Sequence, residues 1–96
     1  MRFIESGEIF SSLECVSYEF IVAREGSVVH CESVVNILVY SGAICRVNMK
    51  LCEGAIVLVR NGGSIEFYGD AEVSRCEVAV ELRRAGAQYF FRHGGK

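Results

Sequence analysis

Along this chain a glycine follows a cysteine at a nearly fixed distance, and no other feature restricts the possible folds as much. Cys15 leads to Gly26-Ser27-Val28, Cys31 to Gly42-Ala43-Ile44 and Cys52 to Gly63-Ser64-Ile65, eleven residues each time, and Cys76 leads to Gly86-Ala87-Gln88 after ten. The interval from each glycine to the next cysteine ranges from five to thirteen. One side of constant length and one of variable length is the pattern of a coil that repeats around an adaptable loop. The fourth position after each cysteine is Glu19, Val35, Ile56 and Val80, and the sixth is Ile21, Ile37, Leu58 and Leu82. Side chains alternate along a strand, so cysteine and the even positions share one face, which predicts the interior of a coil.

The expected fold is therefore all-β: a short right-handed parallel β-solenoid of about four coils. It forms one domain over residues 1–96, with 1–14 as an N-terminal half-coil and 88–96 as C-terminal cap and tail. Tyr89-Phe90-Phe91 is expected to close the end of the stack. Coils about 4.8 Å apart would place Cys15, Cys31, Cys52 and Cys76 one over another as small buried hydrophobes, with the second strand of each coil starting at Val28, Ile44 and Ile65. Glycine would take the corner where a positive φ is needed. An antiparallel β-sandwich competes, but it does not account for the spacing.

Composition narrows the function classes. With 51% hydrophobic residues, no Pro and no Trp, the chain is rich enough in apolar residues to exclude a mainly disordered protein. The formal charge is −2 with both signs mixed along the sequence, so there is no basic stripe for nucleic acid. The longest uncharged stretch, Ser33 to Cys45, falls short of the roughly 20 apolar residues that span a bilayer. No apolar signal segment opens the sequence, so a cytoplasmic location is expected. Five cysteines without a Cys-x-x-Cys argue against a disulfide framework or a common zinc site. No nucleophile motif or phosphate-cradling loop is present, so neither enzymatic activity nor a cofactor is expected.

The odd positions after each cysteine should face outward, yet they read Tyr18, Phe20, Val22, then Val34, Asn36, Leu38, then Ala55, Val57, Val59. Strands apolar on both faces are usually covered on both. The expected partner is a second copy of the chain, docked through Tyr18, Phe20, Val22, Val34, Leu38, Val57 and Val59 as a homodimer or higher oligomer. The alternative is that the N-terminal ten residues or the C-terminal tail fold across this face. Three glutamates directly follow cysteines, and Glu32, Glu53 and Glu77 would form a carboxylate line suited to a cation or a basic partner. End-to-end stacking into a fibre is a second reading of the stack. A third is metal-binding or enzymatic chemistry at the glutamates or at Cys45, the one cysteine outside the ladder.

Glu25-Gly26-Ser27-Val28-Val29, followed by Asn36-Ile37-Leu38-Val39-Tyr40-Ser41-Gly42, resembles the C-terminal β-helical domain of the bacterial division inhibitor MinC. Glu5-Ser6-Gly7-Glu8 is similar to the Arg-Ser-Gly-Gln motif with which that family contacts its membrane-associated ATPase, with Ser6 and Gly7 retained and Glu5 and Glu8 replacing Arg and Gln. The resemblance spans the first half of the chain. It implies a homodimer formed through a solenoid face.

Overall fold

The computed structural model describes residues 1–48, 51, 54–68, 78–84 and 87–93, the last two stretches by their backbone. Strands alternate between two sheets as the chain advances. β1 (Arg2–Ile4), β3 (Phe20–Ala23), β5 (Asn36–Val39), β7 (Ile56–Val59), β9 (Val78–Arg84) and β10 (Ala87–His93) form sheet A in that spatial order. β2 (Ile9–Ser11), β4 (Val28–Cys31), β6 (Ile44–Asn48) and β8 (Ser64–Tyr68) form sheet B, and a single 3-10 turn, Ser12–Glu14, follows β2. The pairings are parallel except for the β9–β10 hairpin. This is a β-solenoid of about three turns, and the parallel pairing sets the sandwich aside. The N-terminal residues form the first strand of each sheet, so they do not fold across the outside of sheet A. Tyr89-Phe90-Phe91 lie in β10, which extends sheet A at its edge.

The repeat is a four-residue turn from sheet A to sheet B. Residues 5–8, 24–27, 40–43 and 60–63 each close with an amide of the fourth residue donating to the carbonyl of the first, at 2.9–3.0 Å. The third residue is always glycine with a positive φ: Gly7 (86°), Gly26 (84°), Gly42 (81°) and Gly62 (89°). That is type II turn chemistry, which needs a left-handed third residue. The turns stack directly. The Gly7 amide donates to the Gly26 carbonyl, Gly26 to Gly42 and Gly42 to Gly62, at 2.9, 2.9 and 3.0 Å.

The last of these turns overturns part of the expected register. The corner glycine of the fourth pair of strands is Gly62, the first of the Gly62-Gly63 doublet, so every residue before it shifts by one relative to the cysteine count. Ile21, Ile37 and Val57 fall in one row and Ala23, Val39 and Val59 in another, all within 3% of complete burial. Val57 and Val59 therefore belong to the core and not to the outer surface, while Ile56 and Leu58, expected inside, face outward. On sheet B, Ile44 sits beside Ser64 and not Ile65, and Ile65 turns inward in the row of Phe10, Val29 and Cys45.

The cysteine ladder does not form among the described residues. Cys31 ends β4 beside Val47, Cys45 lies between Val29 and Ile65, and Cys15 follows the 3-10 turn in the long connection to β3. Cys52 and Cys76 lie outside the described residues. The connections from sheet B to sheet A vary in length, and the buried Ser12 anchors the first to the second: its hydroxyl accepts from the Glu32 amide at 2.8 Å and lies 2.9 Å from the Ser33 hydroxyl. Buried Ser12 is thus fully used, as a buried hydroxyl must be.

Tyr18 is the one described residue other than glycine with a positive φ, at 64°. Two residues on, Phe20 pairs with Asn36 and Asn36 with Ile56, so Tyr18, Val34 and Gly54 occupy equivalent corners, and Gly54 also has a positive φ of 87°. The Tyr18 amide donates to the Val34 carbonyl at 2.7 Å, which fixes the backbone there. Its side chain is 70% exposed. A left-handed non-glycine residue costs roughly 1–2 kcal/mol, part of which glycine loses again through its greater unfolded freedom. Tyr18→Gly is thus expected to raise stability by about 0.5–1 kcal/mol, read as a higher urea midpoint; a lower midpoint would mean the ring itself holds the corner.

Candidate interaction face

The outward positions of sheet A follow from the register. Phe3, Val22, Leu38 and Leu58 make one row, and Phe20, Asn36 and Ile56 the next. Phe3, Phe20 and Ile56 are 45%, 38% and 49% exposed, large values for apolar side chains on a regular sheet. Val22 is buried and stands apart from the contiguous core. Asn36, the polar member, donates one of its side-chain amide hydrogens to the Tyr18 carbonyl at 3.1 Å.

The rim is charged, and two of its cations lie over aromatic rings. The Arg24 guanidinium lies 4.5 Å from the centroid of the Phe3 ring and 3.7 Å from the Glu5 carboxylate, and that of Arg60 lies 5.5 Å from the Tyr40 ring. Exposed pairs of this kind add little stability, but they let the cations cover aromatic surface.

Of the residues expected to form this face, Phe20, Val22 and Leu38 do lie on it. Tyr18 and Val34 sit at the corner that leads into it, and Val57 and Val59 do not belong. Phe3, Ile56, Leu58 and Tyr40 are the members that the cysteine spacing missed. Aligning Arg60-Asn61-Gly62-Gly63 with Tyr40-Ser41-Gly42-Ala43 would have found Ile56 and Leu58, because it sets Val59 opposite Val39.

Of the expected carboxylate line only Glu32 lies among the described residues, and the register sets Asn48 at the equivalent position of the next coil. Cys31 pairs with Val47, and the residue after Val47 is Asn48, which pairs with Tyr68. Glu53 and Glu77 lie outside the described residues. Glu32 itself accepts from the Ser11 hydroxyl at 2.6 Å and the Tyr68 hydroxyl at 3.0 Å, a strap across the outside of sheet B. The Ser11 hydrogen bond, with help from Tyr68 and His30, holds its carboxyl below the usual range despite some burial. Burial first, and then the Glu32 carboxylate, push the Tyr68 phenol up. Arg46 lies over the Tyr68 ring at 5.2 Å and bonds Glu66 at 3.1 Å.

Cys45, the cysteine considered for metal-binding or enzymatic chemistry, is fully buried in the core. Cysteine reactivity needs thiolate and access, and this position denies access. Cys15, half-buried, has its thiol pushed up chiefly by burial and further by Glu19. Ser6 and Gly7 occupy the tip of the first type II turn, where both are exposed, and turn geometry accounts for the pair.

Among the described residues, no helix is long and apolar enough to cross a membrane. Family models, curated proteins and solved structures were all compared with the chain, and none matches it.

Proposed function

We propose that this chain is a non-enzymatic interaction and assembly module that forms a homodimer through the outer face of sheet A. The observation that carries the reading is the continuous outward row Phe3, Val22, Leu38, Leu58, flanked by Phe20 and Ile56. Strands apolar on both faces need a cover on both, and the inner cover is the core.

A second copy suits this face. Among the described residues the rim carries both signs, Arg24 with Glu5 and Arg60 over the Tyr40 ring, so no block of one sign selects an oppositely charged partner. The apolar row crosses four strands, which at about 4.8 Å each and four residues at about 3.3 Å give a face of roughly 19 by 13 Å. With side-chain relief, two such faces bury roughly 600 Å² in total, the size of a small, readily reversible contact. The likeness to the division-inhibitor β-helix implies the same kind of pairing, and a role in regulating an assembly of other proteins is the corresponding extension.

Sedimentation velocity tests the reading. The wild-type chain is expected to sediment as a dimer at micromolar concentration, and Leu38→Asp as a folded monomer, because two aspartates would be trapped near the two-fold axis without a partner. A monomeric wild type, or a Leu38→Asp variant of unchanged mass, would remove it.

A further inference from the structure

We infer that the Arg2–Glu19 pair locks the N-terminal end of the solenoid against β-pairing with a second copy, and that without it two chains join N-end to N-end. The inference is separate from the pairing through sheet A, because it concerns the end of the stack.

β1 and β2 are the outermost strands of their sheets, and each has one hydrogen-bonded neighbour. Unpaired edges invite further strands unless something blocks them. Flanking residues suit such pairing, since Phe3 and Ile9 are apolar and 45% and 75% exposed. Two recognised blocks are present. Both strands have only three residues, and a charge points inward. Arg2 pairs with Ile21 and so heads the core row of Ile21, Ile37 and Val57.

Its guanidinium lies across the open end of the core, 5.2 Å from the centroid of Phe10, the inward residue of β2. Glu19 holds it there, accepting from Nε at 2.9 Å and from Nη2 at 3.4 Å, while also accepting from the Val16 amide at 3.2 Å. The two side chains keep 40% and 19% of their surface exposed. A chain stacked on this end would take both out of water in the middle of a joined core, where desolvation of an ion pair opposes assembly.

The two ends of the molecule differ in shape. At the N-terminal end the sheets finish level, with β1 and β2 as matching first strands. At the other end, among the described residues, sheet A runs two strands past sheet B and finishes in the antiparallel β9–β10 hairpin, so it is stepped. A level end complements another level end about a two-fold axis and does not complement the step. Opening the lock should therefore give closed pairs and not filaments.

The test is the double variant Arg2→Leu/Glu19→Leu, made in the wild-type chain and in the Leu38→Asp chain. In the Leu38→Asp background sedimentation velocity should show the mass doubled over the parent, and negative-stain images should show particles about twice as long; in the wild-type background, where each protomer also carries the sheet A contact, the mass should at least double. Because the Leu38→Asp background lacks the sheet A contact, failure of the dimer proposed above and failure of the lock read out separately. An unchanged mass with a retained β-sheet circular dichroism spectrum overturns the lock, and open-ended filaments in the Leu38→Asp background overturn the N-end to N-end geometry. If the double variant does not fold, Arg2→Met/Glu19→Gln, which removes both charges and keeps a side-chain acceptor for the Val16 amide, should double in mass, and an unchanged mass there is equally decisive. Arg2→Lys keeps an inward cation and should match its parent; a doubled mass would show that the charge is not the block.

Discussion

Replacing Gly26 by alanine is expected to lower the unfolding free energy by about 2–4 kcal/mol, against about 1 kcal/mol for Gly7→Ala. Both glycines are the left-handed third residue of a type II turn, with φ of 84° and 86°, so the conformational cost is shared. They differ in what lies beside them. A Cβ at Gly26 would come within 3.1 Å of the Ser6 Cβ and 3.3 Å of the Ser6 Cα, whereas one at Gly7, in the first turn of the stack, would meet nothing within 4 Å. Gly26 is also inside the ladder, accepting from the Gly7 amide and donating to the Gly42 carbonyl, each at 2.9 Å. Any displacement that makes room for a methyl group strains both bonds. A chain of this length is stable by about 5–14 kcal/mol, so the loss should appear as a clearly lower urea midpoint with an unchanged slope. Equal losses for the two variants would mean that backbone conformation alone matters and that turn-on-turn stacking contributes nothing.

This contrast also explains what was legible in the sequence. Glycine at a corner, followed by a small residue and then a β-branched one, has a direct physical cause in the type II turn, and it pointed correctly to stacked parallel coils. The Cys-to-Gly count had no such cause. Cys15 and Cys31 each stand five residues before a strand of sheet A, yet Cys31 ends β4 while Cys15 lies in the connection after the 3-10 turn. The count agreed with the structure for two coils because their lengths from that point happen to match. It failed at Gly62-Gly63, where either glycine satisfies the spacing but only Gly62 takes the positive φ. With a side-chain period of two, a slip of one residue exchanges the faces of a whole strand. The stretch Ile56-Val57-Leu58-Val59 is apolar throughout, so no polar residue within it could reveal the slip. Similarly, nothing local marked Arg2 as an inward residue, because its row is defined only by pairing with Ile21, nineteen residues away. Glu19 did carry a signal: an acid at a position expected to be interior, explained once Arg2 lies beside it.

The exchange of faces on β7 leads to the largest expected effect. Val57→Asp should abolish cooperative folding, while Leu58→Asp, one residue along, should leave a folded chain. Val57 is completely buried and sits in its row between Ile37 and Val80, with no described donor placed to receive a carboxylate. Burying an unpaired charge and losing the valine packing together cost more than about 5 kcal/mol, comparable to the whole stability of a small domain. Leu58 faces out from the same strand beside Leu38, half-buried, and an aspartate there keeps access to solvent in the single chain. Its cost to folding should stay near 1 kcal/mol. Circular dichroism and urea titration measure the folding difference, and sedimentation of the Leu58→Asp chain then adds a functional one. If sheet A pairs across a two-fold axis, Leu58→Asp should dissociate the dimer as Leu38→Asp does, since the two residues are neighbours in one outward row. Two folded variants, or two unfolded ones, would mean that the outward and inward rows of β7 are wrongly assigned. A folded Leu58→Asp chain that remains dimeric would place the contact elsewhere, and it would do so without disturbing the register on which the core depends.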